Sequence, residues 1–191
     1  MKYIFGPVPS RRLGWSLGLD ILPYKTCSYD CIYCELGPTT RLTSDPVGLV
    51  EPGAVLTELE SFLVSHPGQV DFLTVSGSGE PTLHPELGEL IRALKRRYAL
   101  PVALITNGSL LFRPEVLERV RAADLVLPSL DAVDPETLAA VNRPHPGLDL
   151  DSLLEGLLAL GRLPGPRLWL EILFLQGLND HPDQIARFRQ V

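Results

Sequence analysis

At 191 residues, 45% hydrophobic and 21% charged, the chain suits one domain with a sizeable core and is not disordered. A net charge of −6 offers no general attraction for nucleic acid. The longest apolar runs, such as LWLEILFL broken by Glu171, are too short for transmembrane helices. A soluble single domain over residues 1–191 is expected.

The chain opens with MKYIFGPVPSRR, which lacks the apolar region of a secretory signal. From there, apolar runs alternate with segments of helical period, the pattern of repeated βα units on a parallel sheet. The strands predicted are Ser16 to Leu22, Val70 to Val75, Pro101 to Thr106, Asp124 to Ser129, and Arg167 to Leu175. The helices predicted between them are Pro52 to Ser65, Pro85 to Tyr98, Pro114 to Ala123, Pro135 to Val141 and Leu150 to Leu163. Proline suits a first helical turn, where its missing N–H has no partner to lose. Leu153, Leu154, Leu157 and Leu158 form an apolar stripe, and Asp134 is the best N-cap. A last helix begins near Pro182 and runs into Val191. Five strands and that helix make an incomplete set for a parallel barrel, so the chain is expected to end before a sixth strand.

All three cysteines, Cys27, Cys31 and Cys34, lie in KTCSYDCIYCELG just after the first strand, spaced CxxxCxxC. A disulfide framework would leave one unpaired, and the cysteine usage points to a reducing, cytoplasmic compartment. Structural zinc needs one added ligand, but His66, His84, His145 and His181 stand at no paired-ligand spacing from the cysteines. Three thiolates on one loop also suit a [4Fe-4S] cluster, leaving one iron without a protein ligand.

The spacing, Tyr33 before the third cysteine and the position after the first strand resemble the signature of the radical S-adenosylmethionine (SAM) superfamily. That resemblance implies a partial parallel (β/α) barrel of α/β class. It also implies a [4Fe-4S] cluster on Cys27, Cys31 and Cys34, whose open iron chelates the amino and carboxylate groups of SAM. Site residues belong at the carboxyl ends of the strands. After the second strand, Gly77, Ser78, Gly79 and Glu80 resemble the family's GGE motif, with Ser78 in place of its first glycine. There the strand edge and acid receive the SAM ammonium. Alone, such a loop also reads as ordinary turn chemistry.

After the third strand, Thr106-Asn107-Gly108-Ser109 resembles the segment near the SAM ribose; by itself it is also a common Asn-Gly turn. PSLDAVDPETLAAVNRPH resembles a segment found in the molybdopterin-precursor and wyosine-type branches. Ser129 matches a position that hydrogen-bonds SAM, and Arg143 is a candidate carboxylate partner, while Asp131, Asn142 and His145 lie nearby. The opening FGPVPSRRLGWSLGLDILPYKTC is similar to a subgroup of iron–sulfur oxidoreductases related to wyosine-synthesis enzymes. Those enzymes use further cysteines for a second cluster, and this sequence has none.

The resemblance implies reductive cleavage of SAM to methionine and a 5′-deoxyadenosyl radical, which abstracts hydrogen from a substrate. It implies a one-electron reductant such as ferredoxin or flavodoxin as partner, in an oxidoreductase or transferase. An iron–sulfur binding or electron-transfer protein without radical chemistry is the alternative. Arg11 and Arg12 are either anion ligands near the barrel mouth or surface charges. Glu171 either faces the barrel lumen, toward SAM or substrate, or is a structural acid bonded to a neighbouring strand. Gln176 and Asn179 follow the same strand within reach of the site.

Overall fold

The computed structural model describes residues 1–48 and 50–190. In chain order the elements are β1 (Ile4–Ser10), β2 (Gly14–Leu19), β3 (Thr26–Cys27), β4 (Arg41–Leu42), α1 (Pro52–Ser65), β5 (Phe72–Val75), α2 (Leu87–Arg97), β6 (Val102–Thr106), α3 (Pro114–Val120), β7 (Leu125–Pro128), α4 (Pro135–Val141), α5 (Leu150–Arg162), β8 (Arg167–Leu168) and α6 (Pro182–Phe188). A single 3₁₀ turn, Pro81–Leu83, follows β5. The expected end of the last helix at Val191 lies outside the described residues.

Six strands form one sheet in the order β1-β2-β5-β6-β7-β8, and β3 and β4 pair separately. From β2 to β8 every neighbouring pair is parallel. With helices packed around it, the sheet is a partial (β/α) barrel of the expected α/β class. β5, β6 and β7 read FLTV, VALIT and LVLP and are largely buried, as strands covered on both faces must be. Proline occupies the first turn of α1, α3, α4 and α6. Asp134 caps α4 by accepting from the Thr137 N–H at 2.8 Å, and Asp149 does the same for α5 with Ser152 at 2.8 Å.

The structure corrects the expected elements in four places. β1 was not anticipated. Its IFGPVPS sequence is broken by glycine and proline, and it forms an antiparallel edge with β2, where a missing N–H is tolerated. α2 begins at Leu87, two residues after Pro85. The apolar stripe of α5 is Leu150, Leu153, Leu157 and Leu160, whereas Leu158 is exposed; each such leucine contributes about 1.5–3 kcal/mol on burial.

The fourth correction concerns β8, which is regular only over Arg167–Leu168 and then follows β7 as far as a bridge between Ser129 and Glu171. It is the edge strand opposite β1 among the described residues, and Trp169, Leu170, Leu173 and Phe174 remain exposed there. No helix among the described residues is long and apolar enough to cross a membrane.

Candidate functional site

β2, β5, β6 and β7 run in the same direction, so their carboxyl ends converge with the cysteine loop that follows β2. They surround a cavity of about 650 Å³. Its walls include Cys27 and Cys31, the Gly77-Ser78-Gly79-Glu80 loop, Asn107 and Ser129. Tyr33, Cys34 and Arg143 do not line it. A larger cavity of about 720 Å³ lies at the opposite, amino-terminal strand ends around Pro101, Asp124 and Arg167. It contains no cysteine and none of the strand-end motifs, so the chemistry points to the smaller cavity.

The cysteine loop is docked onto the loop after β5 by backbone pairing. Lys25 N–H donates to the Ser78 carbonyl at 2.8 Å, and Glu80 N–H donates to the Thr26 carbonyl at 3.2 Å. Gly79 permits this approach, because a Cβ there would sit 1.8 Å from the Thr26 oxygen. Gly77 takes a φ of +132°, a conformation open to glycine alone in practice. On its other side the cysteine loop meets the end of α4: Asp30 and Ile32 N–H groups donate to the Asn142 and Val141 carbonyls at 3.0 and 2.9 Å.

Each thiol faces a nitrogen donor. Asn107 Nδ2 lies 3.6 Å from Cys27 Sγ, Asn142 Nδ2 is 3.4 Å from Cys31 Sγ, and Lys25 Nζ is 3.1 Å from Cys34 Sγ. Burial, reinforced by nearby Glu80, pushes the Cys27 thiol up to about 12, while the Lys25 charge pulls the other way. Burial also raises Cys31, opposed by hydrogen bonds from Asn142 and Tyr33. These are thiols that a metal must deprotonate on binding.

Glu80 is buried, and its carboxylate is held within the protein. Oε1 accepts from Thr82 N–H at 3.0 Å, Thr82 Oγ1 at 2.5 Å and Thr106 Oγ1 at 2.6 Å. Oε2 accepts from Asn107 N–H at 2.7 Å. Burial raises its pKa against the opposing pull of these donors. Glu80 therefore ties the ends of β5 and β6 together while lining the cavity.

Tyr33 donates its hydroxyl to Asp131 Oδ2. Asp131 is buried and also accepts from Asn142 Nδ2 at 3.0 Å and Leu173 N–H at 3.0 Å. Arg143 is exposed, with a φ of +46°, and its guanidinium lies 3.9 Å from Asp30 Oδ2. Ser109 bonds Ser28 at 2.7 Å, and Asn107 Nδ2 donates to Ser28 Oγ at 2.8 Å. Glu171 pairs with Arg12 from the β1–β2 turn. Arg11 is exposed. Gln176 is exposed, and Asn179 is buried, donating to the Asp131 carbonyl at 2.8 Å.

Two contributors, Asp20 and Lys25, were not singled out from sequence. Asp20, at the end of LGLD, accepts from Ser78 N–H at 3.1 Å and from its hydroxyl, fixing the loop after β5. Lys25 carried only its nearness to Cys27 as a signal. The part Asp131 plays in joining Tyr33, Asn142 and β8 depends on contacts that sequence spacing does not display.

Residues 21–189 match the model of the Radical SAM superfamily. The chain belongs to the radical SAM superfamily. Among curated relatives, a protein named GTPase Obg from Brachyspira hyodysenteriae is 40% identical over 184 residues, 96% of this chain and 27% of that protein. A UPF0026 protein of Methanocaldococcus jannaschii is 41% identical over 160 residues, 83% of this chain and 50% of that protein. This chain thus spans half or less of either relative.

Among solved structures, TYW1 with a lysine–pyruvate adduct bound has a TM-score of 0.67 at 19% identity, covering 92% of this chain and 61% of that one. Native anSMEcpe with bound AdoMet has a TM-score of 0.68 at 18% identity, covering 92% of this chain and 48% of that one. At such identities the likeness is one of fold. It places the cysteine loop and strand ends of this radical SAM chain within a fold shared with those proteins.

The chemistry of the donor set, three thiols on one loop, is of the kind that holds an iron–sulfur cluster. No three His, Cys, Asp or Glu side chains among the described residues converge as they would on one metal. A cubane takes each thiolate at a separate iron. Three thiols on one loop, each facing its own N–H donor and two of them, Cys27 and Cys31, lining the cavity, suit that arrangement.

Proposed function

We propose that this chain is the core of a radical SAM enzyme in which Cys27, Cys31 and Cys34 hold a [4Fe-4S] cluster and the adjoining cavity receives SAM. The observation that carries this reading is the docking of the cysteine loop on the Ser78-Gly79-Glu80 backbone, which puts Cys27, Cys31 and the strand-end motifs around one cavity. When bound, the cluster and SAM would supply one electron and a sulfonium, whose reductive cleavage gives methionine and a 5′-deoxyadenosyl radical for hydrogen abstraction.

The chain's own groups supply position and environment. Asn107 and Asn142 aim N–H groups at Cys27 and Cys31, which favours the thiolate form and tunes a bound cluster. Glu80 fixes the carboxyl ends of β5 and β6 through its hydrogen bonds, so the Gly77–Gly79 backbone is held where the SAM ammonium is received. Ser129 and Asn107 offer polar groups in the same cavity for the carboxylate or ribose. Phe5 and Ile105 add apolar cover, limiting water at the reacting carbon. Arg143, exposed beside Asp30, would act on a carboxylate only from the outer face of the loop.

The reductant is a small one-electron donor such as ferredoxin or flavodoxin, and the compartment is the reducing cytoplasm. The net charge of −6 gives no support to a nucleic-acid substrate. The opening FGPVPSRRLGWSLGLDILPYKTC supports a place near the wyosine-synthesis enzymes, with an oxidoreductase or transferase reaction.

Anaerobically reconstituted protein, reduced with dithionite in the presence of SAM, should release methionine and 5′-deoxyadenosine. Cys27→Ala, Cys31→Ala and Cys34→Ala should each abolish that release. Cleavage retained by any of them would overturn the ligand assignment. A wild-type cluster with no SAM cleavage would favour iron–sulfur binding alone.

A further inference from the structure

Lys25 is 3% exposed, and its ammonium is 3.1 Å from Cys34 Sγ. Among the described residues no carboxylate lies within ion-pair distance of it. A lysine this buried is normally neutralised by a paired anion. Here the group that faces it is a thiol of the CxxxCxxC loop. Its backbone takes the left-handed conformation with φ +54°, rare for a residue with a side chain. The Lys25 N–H is tied to the Ser78 carbonyl at 2.8 Å, and its own carbonyl accepts from Thr40 and Arg41 N–H groups at 3.1 Å. The loop is thus anchored on both sides so that this one side chain points inward at Cys34.

We infer that Lys25 is a positioning residue that supplies the counter-charge to the iron–sulfur cluster and raises its reduction potential. The inference rests on the proposed cluster at Cys27, Cys31 and Cys34. A cubane with three thiolate ligands is negatively charged, and accepting one electron makes it one unit more negative. A fixed ammonium against a ligating sulfur stabilises the reduced form more than the oxidised form. The same charge lowers the cost of burying the thiolate before reduction. Asn107 and Asn142 offer only dipoles to the other two sulfurs, so the full positive charge sits on the Cys34 side.

The test is a redox titration of the reconstituted protein, with dithionite as one-electron donor, followed by electron paramagnetic resonance and compared with iron content per chain. Lys25→Met keeps the length and apolar stem but removes the charge; Lys25→Arg keeps the charge. At a fixed ambient potential, Lys25→Met should lower the reduced-to-oxidised ratio at least about tenfold, a fall of about 59 mV for a one-electron couple. Lys25→Arg should stay near wild type. Loss of iron in Lys25→Met that Lys25→Arg restores would equally support the charge. A Lys25→Met ratio within about twofold of wild type at equal iron content, or loss of iron in both variants, would overturn the inference. Wild-type protein that assembles no cluster would instead overturn the cluster reading on which it stands.

Discussion

The carbonyl oxygen of Thr26 lies 1.8 Å from where a Cβ on Gly79 would stand. Two motifs far apart in the chain, the cysteine loop and the loop after β5, therefore touch backbone to backbone, and the residue at 79 decides whether they can. Gly79→Ala should force them apart, at about 1–3 kcal/mol in the way of other overpacked sites. Urea unfolding and iron content per chain would both fall below wild type; a variant with normal iron loading and an unchanged midpoint would show that the contact is not needed.

Glu80 offers a separate test of the same junction. Its oxygens accept from Thr82, Thr106 and Asn107. Glu80→Gln replaces one acceptor oxygen with a donor facing other donors, and a mismatch of this kind costs about 1–3 kcal/mol. The free energy of unfolding should drop by that amount, and SAM binding, measured by calorimetry on the loaded protein, should weaken with it. Full stability together with full SAM affinity would contradict the role given to this carboxylate.

Acid should weaken the cap of α5. Backbone and side-chain hydrogen bonds from Ser152 hold Asp149 below its ordinary pKa. A carboxylate whose folded value is depressed stabilises the fold above its unfolded value of about 3.9 and loses that contribution as pH falls through the folded value. Wild type should therefore lose stability from about pH 5 downward relative to Asp149→Asn. Parallel pH profiles for the two proteins would remove Asp149 from the account.

The exposed outer edge at β8 predicts self-association of this chain. Trp169, Leu170, Leu173 and Phe174 are exposed beside a strand whose outer backbone groups meet no strand among the described residues, a template for pairing with another chain. Light scattering should show association that grows with concentration and is relieved by Leu170→Lys, a charge of the kind that protects natural edges. Equal scattering by both proteins would point away from this edge.

What the sequence displayed most clearly was chemistry confined to short stretches. Cys27, Cys31 and Cys34 share one loop, and Gly77 to Glu80, Asn107 and Ser129 each follow an apolar run, so their meeting at the carboxyl ends of parallel strands could be foreseen. The prolines marked helix starts well because the missing N–H acts locally. β1 was hidden because glycine and proline disguise an antiparallel edge as a loop. The expected strand to Leu175 proved too long because an apolar run does not reveal that its outer side lacks a neighbour among the described residues.

Pairings across the fold were not readable either. Arg12 of the β1–β2 turn meets Glu171, the residue bridged to Ser129 beyond β8, giving that carboxylate an ion-pair partner. Asp20 holds Ser78, and Tyr33 reaches Asp131. Each depends on how the sheet brings remote segments together, and neither periodicity nor spacing carries that information.

The most direct test of the central claim is electron paramagnetic resonance of the anaerobically reconstituted, reduced protein with and without SAM. The account predicts a reduced [4Fe-4S] signal that changes when SAM is added, since SAM would occupy the iron left free by Cys27, Cys31 and Cys34. A cluster signal indifferent to SAM, or no cluster at all, would contradict it.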